Sequence, residues 1–325
     1  MQPIEGARIN EMNYRQAMAL PAHFEASRFQ GNSRAYATYF GIEVSRLAEM
    51  VEDVRTPLEE RYAIGNILAL RGDPRVATES PAMIALAGGT AMIGTDPAEI
   101  SALAARYRDV GVLEAWLEKE TPRHACTVAP FRMAKYPVTN QEYLAFLEDT
   151  HSAFLPTSWR FGRFPEHRAN HPVYSVSPEA ADAYAIWLSK RTGRSFRLPR
   201  EVEWEFAAGG AQGFEFPWGD TFRAAACNTL ELGVRATTPV GIFPEGNARS
   251  GFADMAGNVE ELVGDVYRPY PGGQAVEDDI ARANPDYRMT RGGGFTRFAD
   301  LARCRRRHGY IASPLYAIGF RLCED

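Results

Sequence analysis

From residue 81 onward the apolar runs of this chain are short, and glycine or proline interrupts nearly all of them. Residues 83–86 (MIAL) are followed by a Gly-Gly-Thr step at 88–90, and Met92-Ile93 is followed at once by a glycine. Strand and helix patterns do not alternate regularly, which excludes a doubly wound parallel sheet. The pattern predicts a loop-rich α+β domain with small sheets. Arg–carboxylate pairs, buried tryptophans or bound ions would then have to hold the loops.

Two helices are well marked in this domain. The first is predicted over 140–147, after the segment Pro-Val-Thr. The second is predicted over 178–192, because Ser177 is a good N-cap and Pro178 suits the first helical position.

The first 80 residues favour short helices and predict a helical extension packed on a main domain of residues 81–325. Residues 34–51 carry an apolar stripe at spacings of three and four. Thr56, Pro57 and Glu59 together predict a helix start with a hydroxyl cap, and this helix should end near Gly72.

The basic residues are almost all arginine. Of the 36 basic side chains only Lys119, Lys135 and Lys190 are lysines, which leaves 33 arginines against 41 acidic residues and a net charge of −5. Guanidinium groups favour fixed ion pairs with carboxylates. Four cysteines are too few for a disulfide framework, and no apolar run approaches the roughly 18 residues of a membrane span. We therefore expect a cytoplasmic protein without membrane contact.

Six segments together resemble the formylglycine-generating enzyme (sulfatase-modifying factor) family. They are AGGTAMIG at 87–94, FRMAKYPVTNQEYLAF at 131–146, FRLPREVEWEFAA at 196–208, GFADMAGNV at 251–259, RGGG at 291–294 and IGFR at 318–321. The resemblance runs in the family's order over about residues 82–323. It implies a complex variant of the C-type-lectin-like fold, and fold alone does not give function.

The resemblance does not extend to the oxidase chemistry of the family. Its oxidases bind copper(I) through two cysteines just after the RGGS motif, because soft thiolates suit that ion. Here the corresponding loop, 294–303, contains no cysteine. Cys304 lies beyond it, and Arg297 falls near a thiolate position. We therefore expect neither copper nor catalytic residues, that is, a pseudoenzyme.

The iron-dependent sulfoxide synthases of the family use three histidines, supplied largely by an N-terminal helical bundle. This chain has only His23 before residue 80. His167 and His171 are four residues apart, but they flank a loop ahead of Pro172 rather than sharing a helix face. An iron site at His308, with partners that the sequence does not identify, stays open as an alternative.

A calcium site is implied by residues 257–261, which resemble the family's GNVWEW loop. The expected ligands are Asn258, the Val259 carbonyl and Glu261, and Asn228 resembles a ligand of a second site. Both tryptophans of that motif are replaced, by Glu260 and Leu262. The alternative is an Asn–Glu pair that only hydrogen-bonds the loop.

Positive charge is concentrated near the C-terminus. Residues 288–308 contain seven arginines and one acidic residue, a net +6, so the rest of the chain carries −11. One interpretation is a cationic cleft that clamps a carboxylate or phosphate. The side chains expected to line it are Arg297, Arg303, Arg305, Arg306 and His308. The other interpretation is structural, since the family motifs themselves contain arginine at 291, 303, 307 and 321.

The acidic remainder argues against nucleic acid as a partner and favours a basic protein. Within the resemblance there are two precedents for binding without catalysis, namely bacterial immunity proteins and the variable ligand-binding proteins of diversity-generating elements. We expect an immunity protein that neutralises a secreted, type VI-like toxin such as a nuclease. The alternative is a metal-dependent oxidoreductase, with non-heme iron or copper, acting on a peptide or small molecule. A maturation factor that binds a peptide without oxidising it is a third, weaker possibility.

Overall fold

A computed structural model of the chain describes residues 4–325, so residues 1–3 of the predicted extension lie outside the described range. The helices in that range are α1 (Tyr14–Ala17), α2 (Ser33–Tyr39), α3 (Val44–Met50), α4 (Leu58–Arg71), α5 (Ile100–Arg106), α6 (Glu114–Glu118), α7 (Asn140–Thr150), α8 (Pro178–Thr192), α9 (Glu201–Gly209) and α10 (Asp279–Ala283). The strands are β1 (Met83–Leu86), β2 (Gly89–Ile93), β3 (His124–Val128), β4 (Phe131–Ala134), β5 (Phe196–Arg197), β6 (Glu260–Val266), β7 (Arg288–Arg291), β8 (His308–Gly309), β9 (Ile318–Phe320) and β10 (Cys323–Glu324). The predicted loop-rich α+β class is confirmed.

Three small sheets organise the main domain. The first has the order β1-β4-β10-β5, so the first and last strands of the domain share one sheet. Strands β2 and β3 form the second, and the third has the order β8-β7-β6-β9. In the third sheet β6 runs parallel to β9, with Glu260 opposite Ile318. The long loop between β7 and β8 starts and ends on this third sheet, which fixes its two ends.

N-terminal caps explain where the two marked helices begin, and the sequence predicted the one at Ser177. Ser177 accepts a hydrogen bond from the Ala180 amide, as expected for the N-cap of α8. At α7 the Thr139 and Glu142 side chains form a capping box. This helix continues to Thr150, three residues beyond the predicted end.

The N-terminal helices differ from the sequence expectation in two places. The stripe over 34–51 is not one helix, because the chain turns at Gly41 and divides the stripe into α2 and α3. Thr56 does not cap α4; Pro57 takes the N-cap position in an extended conformation, without a side-chain cap. Apolar side chains of α3 and α4 share a buried cluster with the main domain. Its members include Leu47, Ile64, Leu68, Leu232 and Ile242.

Buried arginine–carboxylate pairs connect α9 to the C-terminal loops. Arg291 and Arg307 both donate to the Glu201 carboxylate, at 2.9 Å and 2.7–2.9 Å. Arg321 pairs with Glu261 through two hydrogen bonds of 2.6 Å. Pairs with two parallel hydrogen bonds fix orientation as well as distance. They tie the ends of β7, β8 and β9 to α9 and to β6.

No helix within residues 4–325 is long and apolar enough to cross a membrane.

Candidate functional site

The loop between β7 and β8 carries all five side chains predicted to line a cationic cleft. It leaves the sheet through Gly292 and Gly293, both with positive φ. A Cβ on Gly293 would lie 2.8 Å from the Leu301 carbonyl carbon, so a side chain there would push the loop apart. The glycines therefore let the loop fold back closely on itself.

Arg297 lies in the stretch where the resemblance places a thiolate, and it points into the protein. Its side chain is only 4% exposed, and its Nη1 donates to the Ala17 carbonyl at 3.3 Å. The rings of Phe298 and Tyr316 lie 5.8 and 5.9 Å from its guanidinium carbon. Its Nε has no hydrogen-bond partner among the described residues.

Arg303 and Arg306 meet the same carboxylate. Arg303 donates to both Glu120 oxygens at 2.6 Å, and both side chains are essentially inaccessible. Arg306 lies 3.8 Å from Glu120 and 4.0 Å from Asp300, and its Nη1 donates to the carbonyls of Trp116 and Arg307. A ligand carboxylate could not reach Arg303 without displacing Glu120. For this residue the structure places the side chain in the interior, as the structural interpretation expected.

Arg305 points in another direction. It pairs with Glu99 at 3.2 Å and donates to the Gly213 carbonyl. The five predicted residues therefore do not converge on one cleft.

His308 is held by a carboxylate that replaces one of the motif tryptophans. Its Nδ1 lies 2.7 Å from Oε1 of Glu260, which also accepts from the Thr290 hydroxyl at 2.6 Å. The imidazole packs on the Tyr316 ring at 4.9 Å. The second oxygen of Glu260 is buried without a hydrogen-bond partner in the described chain.

Three of the predicted residues, Arg297, Arg306 and His308, line one pocket. The sequence reasoning missed the other polar side chains of this pocket, which include Lys119, Asp278 and Asp300. Ile9 and Asn10 of the N-terminal segment (residues 4–20) close it, leaving a cavity of about 20 Å³. That volume holds one or two waters.

Lys119 is the most perturbed cation of the pocket. Burial lowers the pKa of its ammonium to about 8, although the Asp278 carboxylate in contact with it acts in the opposite direction. Burial also raises the pKa of the Asp300 carboxyl. The rarity of lysine was the only feature of the sequence that singled out Lys119. Its pairing with Asp278 could not be predicted, because the two residues are far apart along the chain.

Among the predicted calcium ligands, Asn258 and Glu261 are engaged by protein donors, whereas the Oδ1 of Asn228 is buried without a hydrogen-bond partner in the described chain. The Asn258 Oδ1 accepts from the Thr238 amide at 2.9 Å and from the Asn228 side chain at 3.3 Å. Both oxygens of Glu261 face Arg321, and one also accepts from Trp204 at 2.7 Å. As placed, Asn258 and Glu261 form the hydrogen-bonded loop that the alternative expected, and their oxygens would have to exchange protein donors for an ion. A calcium site with Asn228 and the Val259 carbonyl stays a prediction.

Asp254 is the carboxylate of this loop that the sequence reasoning missed. It is 7% exposed and accepts from the Gly241 amide at 2.7 Å. Burial raises its pKa to about 6.

The thiols and the paired histidines do not supply a metal site either. Cys227, Cys304 and Cys323 are buried, and burial raises the pKa of each thiol. His171 is buried between Thr237 and Asn66, and burial lowers its pKa, whereas His167 is exposed. Within residues 4–325 no three His, Cys, Asp or Glu side chains are arranged to hold a metal ion.

Most of the chain matches a known protein family. Residues 71–325 match the model of the sulfatase-modifying factor enzyme 1-like domain. The chain is 30% identical over 223 residues to hercynine oxygenase of Mycolicibacterium thermoresistibile, covering 58% of this chain and 49% of the relative. It is 29% identical over 272 residues to the inactive C-alpha-formylglycine-generating enzyme 2 of Mus musculus, covering 68% and 77%.

A solved structure supports the fold. PvdO from Pseudomonas aeruginosa superimposes with a TM-score of 0.58 at 28% identity, covering 77% of this chain and 96% of that one. The chain spans 35% to 49% of the length of the first curated relatives that it matches.

Proposed function

This chain belongs to the sulfatase-modifying factor enzyme 1-like family, and we propose that it is a catalytically silent member that acts by binding another protein. The proposed role is that of a cytoplasmic bacterial immunity protein that neutralises a secreted, type VI-like toxin with a basic surface, such as a nuclease. The observation that carries this proposal is Arg297. Arg297 is a buried cation near the position at which the resemblance places a thiolate of the copper-binding members, and a fixed cation repels a metal ion.

A silent member is compatible with what the family contains. The mouse relative that matches 68% of this chain is itself named as inactive. The sheets and the buried ion pairs of this chain form without the two cysteines of the oxidases, so the fold does not depend on those cysteines.

The elements around the closed pocket provide a negatively charged surface, which is the charge that binding of a basic toxin requires. We call this surface the acidic face; it consists of exposed residues on the N-terminal segment, on α6, on the turn before α10 and on α10 itself. They are Glu5, Glu11, Glu114, Glu118, Glu277 and Asp279. The arginines on the same elements are Arg8, Arg15 and Arg282. A face of this charge speeds association with a cationic protein and suppresses binding of acidic ones.

Co-purification with a toxin encoded by the neighbouring gene tests the proposal. The double substitution Glu114→Lys/Glu118→Lys reverses two charges on the acidic face and should weaken the complex about tenfold or more. Glu43→Lys/Glu49→Lys changes the net charge equally on exposed positions away from that face and should leave the affinity unchanged. No stable complex, or equal losses in both variants, would contradict the proposed role.

The alternative function is a metal-dependent oxidoreductase using iron or copper. The observation that favours it is the pairing of His308 with Glu260 at a pocket lined by six other charged side chains. One histidine and one carboxylate would need further ligands. Metal analysis of protein purified without chelator separates the two functions, because stoichiometric iron or copper would favour the oxidoreductase.

A further inference from the structure

The N-terminal segment lies across the pocket as a separate, small element. Its apolar side chains Ile9 and Met18 are at most 7% exposed, and Ala17 is fully buried. They join the largest apolar cluster of the main domain, which includes Tyr316 and Leu315 of the C-terminal loop. The same cluster contains Phe298, so the segment is also packed on the β7–β8 loop that carries Arg297.

Few polar contacts fasten the segment over the pocket. Asn10 accepts from the Tyr316 hydroxyl at 2.9 Å and donates to Asp279. The Ala17 carbonyl accepts from Arg297 at 3.3 Å. The Ile4 amide donates to the Asp109 carbonyl at 3.1 Å. The regular structure of the segment is a 3₁₀ turn (Gly6–Arg8) and the short helix α1, and residues 22–26, which follow the segment, are exposed. Segments held by so few hydrogen bonds open at low free energy compared with the whole fold.

The groups beneath the segment are incompletely satisfied. Arg297, Asp300 and Arg306 are each at least 95% buried, and each keeps one polar atom without a hydrogen-bond partner in the described chain. Buried polar atoms are normally paired, since an unpaired one is destabilising. Solvent or a ligand would satisfy all three once the segment moves away.

We infer that residues 4–20 are a removable cover, an intramolecular occupant that closes a charged pocket and leaves it when the pocket is used. The closed form keeps the three incompletely paired groups out of water, and the open form exposes them together with Lys119 and His308. This inference concerns the chain itself and does not depend on which partner it binds.

The scarcity of lysine provides a direct assay. Acetic anhydride at pH 8 acetylates accessible amines, and mass spectrometry separates Lys119 beneath the segment from the exposed Lys190. Ile9→Asp places a carboxylate in the apolar contact, and Asn10→Ala removes the two side-chain hydrogen bonds at an exposed position. Arg8→Ala is the matched control, because Arg8 is exposed and hydrogen-bonds only Glu11 of the same segment.

In the unaltered chain Lys190 should react and Lys119 should be protected. Ile9→Asp should raise the rate at Lys119 about tenfold or more, because a carboxylate buried without a partner is strongly disfavoured. Asn10→Ala should raise it less, and Arg8→Ala should leave it unchanged. The buried thiols of Cys304 and Cys323 should stay unreactive towards a thiol reagent in every variant. That result would show that the main domain remains folded.

Three results would overturn the inference. The first is an unchanged rate at Lys119 in both Ile9→Asp and Asn10→Ala. The second is acetylation of Lys119 as fast as Lys190 in the unaltered chain. The third is a rate at Lys119 that increases only together with reaction of the buried thiols, because that would mean unfolding of the domain rather than opening of the segment.

Discussion

Replacing Glu120 with glutamine should be one of the most destabilising single changes in this protein. The Glu120 carboxylate is fully buried, accepts from Arg303 at 2.6 Å on both oxygens and from the Thr95 hydroxyl at 2.9 Å, and lies 3.8 Å from Arg306. In the glutamine variant the side-chain amide keeps one acceptor oxygen, but it places N–H groups against a guanidinium and carries no negative charge.

Arg303 and Arg306 would then lose their nearest counter-charge, and the carboxylates that remain, Glu215 at 3.9 Å from Arg303 and Asp300 at 4.0 Å from Arg306, are more distant. Breaking a buried pair by removing one partner costs about 3–5 kcal/mol, since the remaining charge is left in a poorly polarisable interior. For a chain of this length that corresponds to a decrease of roughly 4–8 °C in the melting temperature. Urea unfolding and calorimetry measure the two quantities.

Glu118→Gln is the matched control, because it makes the same chemical change two residues away at an exposed position without an ion pair in the described chain. It should change the free energy of unfolding by less than about 0.5 kcal/mol. The double variant Glu120→Gln/Arg303→Met should recover part of the loss, since it removes the orphaned cation as well. A Glu120→Gln protein within about 1 kcal/mol of the unaltered one would refute the assignment of Arg303 and Arg306 as interior supports.

Three further measurements follow from the structure. Because burial raises the pKa of Asp254 to about 6, from an ordinary value of 3.8, the folded state holds this proton more tightly than the unfolded chain. Above pH 6 the ionised carboxylate therefore destabilises the fold, and protonation removes this cost as the pH falls towards 4. The free energy of unfolding of the unaltered protein, measured in urea relative to that of Asp254→Asn, should increase by about 2–3 kcal/mol between pH 7 and pH 4. In the native protein a thiol reagent should modify only Cys126, because this cysteine is partly exposed, and after denaturation it should modify all four cysteines. Fast reaction of a second thiol in the native protein would contradict the burial described above. Calcium or a calcium chelator should leave the melting temperature unchanged, because protein donors engage Asn258 and Glu261; a shift of several degrees would instead support the predicted calcium site.

The parts of the fold that the sequence predicted are those whose signals are local. Ser177 with Pro178, and Thr139 with Glu142, mark the starts of two helices within four residues. The family motifs predicted the lectin-like class in the same way, since each is a contiguous string. Of the three means that the sequence left open for holding the loops, arginine–carboxylate pairs are present in the structure.

The parts that the sequence did not predict depend on partners far apart in the chain. Nothing near Arg303 indicates that Glu120, 183 residues away, pairs with it. A run of arginines therefore suggested a cleft, whereas the structure distributes Arg303 and Arg305 to different carboxylates. Lys119 and Asn10 belong to the pocket only because two distant segments fold over it. The break at Gly41 was missed because the apolar stripe continues on both sides of the turn.

The buried ion pairs also determine which parts of this protein are free to change. Arg291, Arg307 and Arg321 fix the bases of the irregular segments from inside, through partners on α9 and β6. Most of these segments is interior, since residues 289–304 are buried throughout, and only residues 310–314 form a stretch that reaches the surface. Insertions or substitutions at 310–314 should be tolerated for that reason, as exposed loops on a rigid base generally are. The molecule thus separates the residues that specify its shape from the residues that it displays, so new recognition surfaces can arise on it without a new fold.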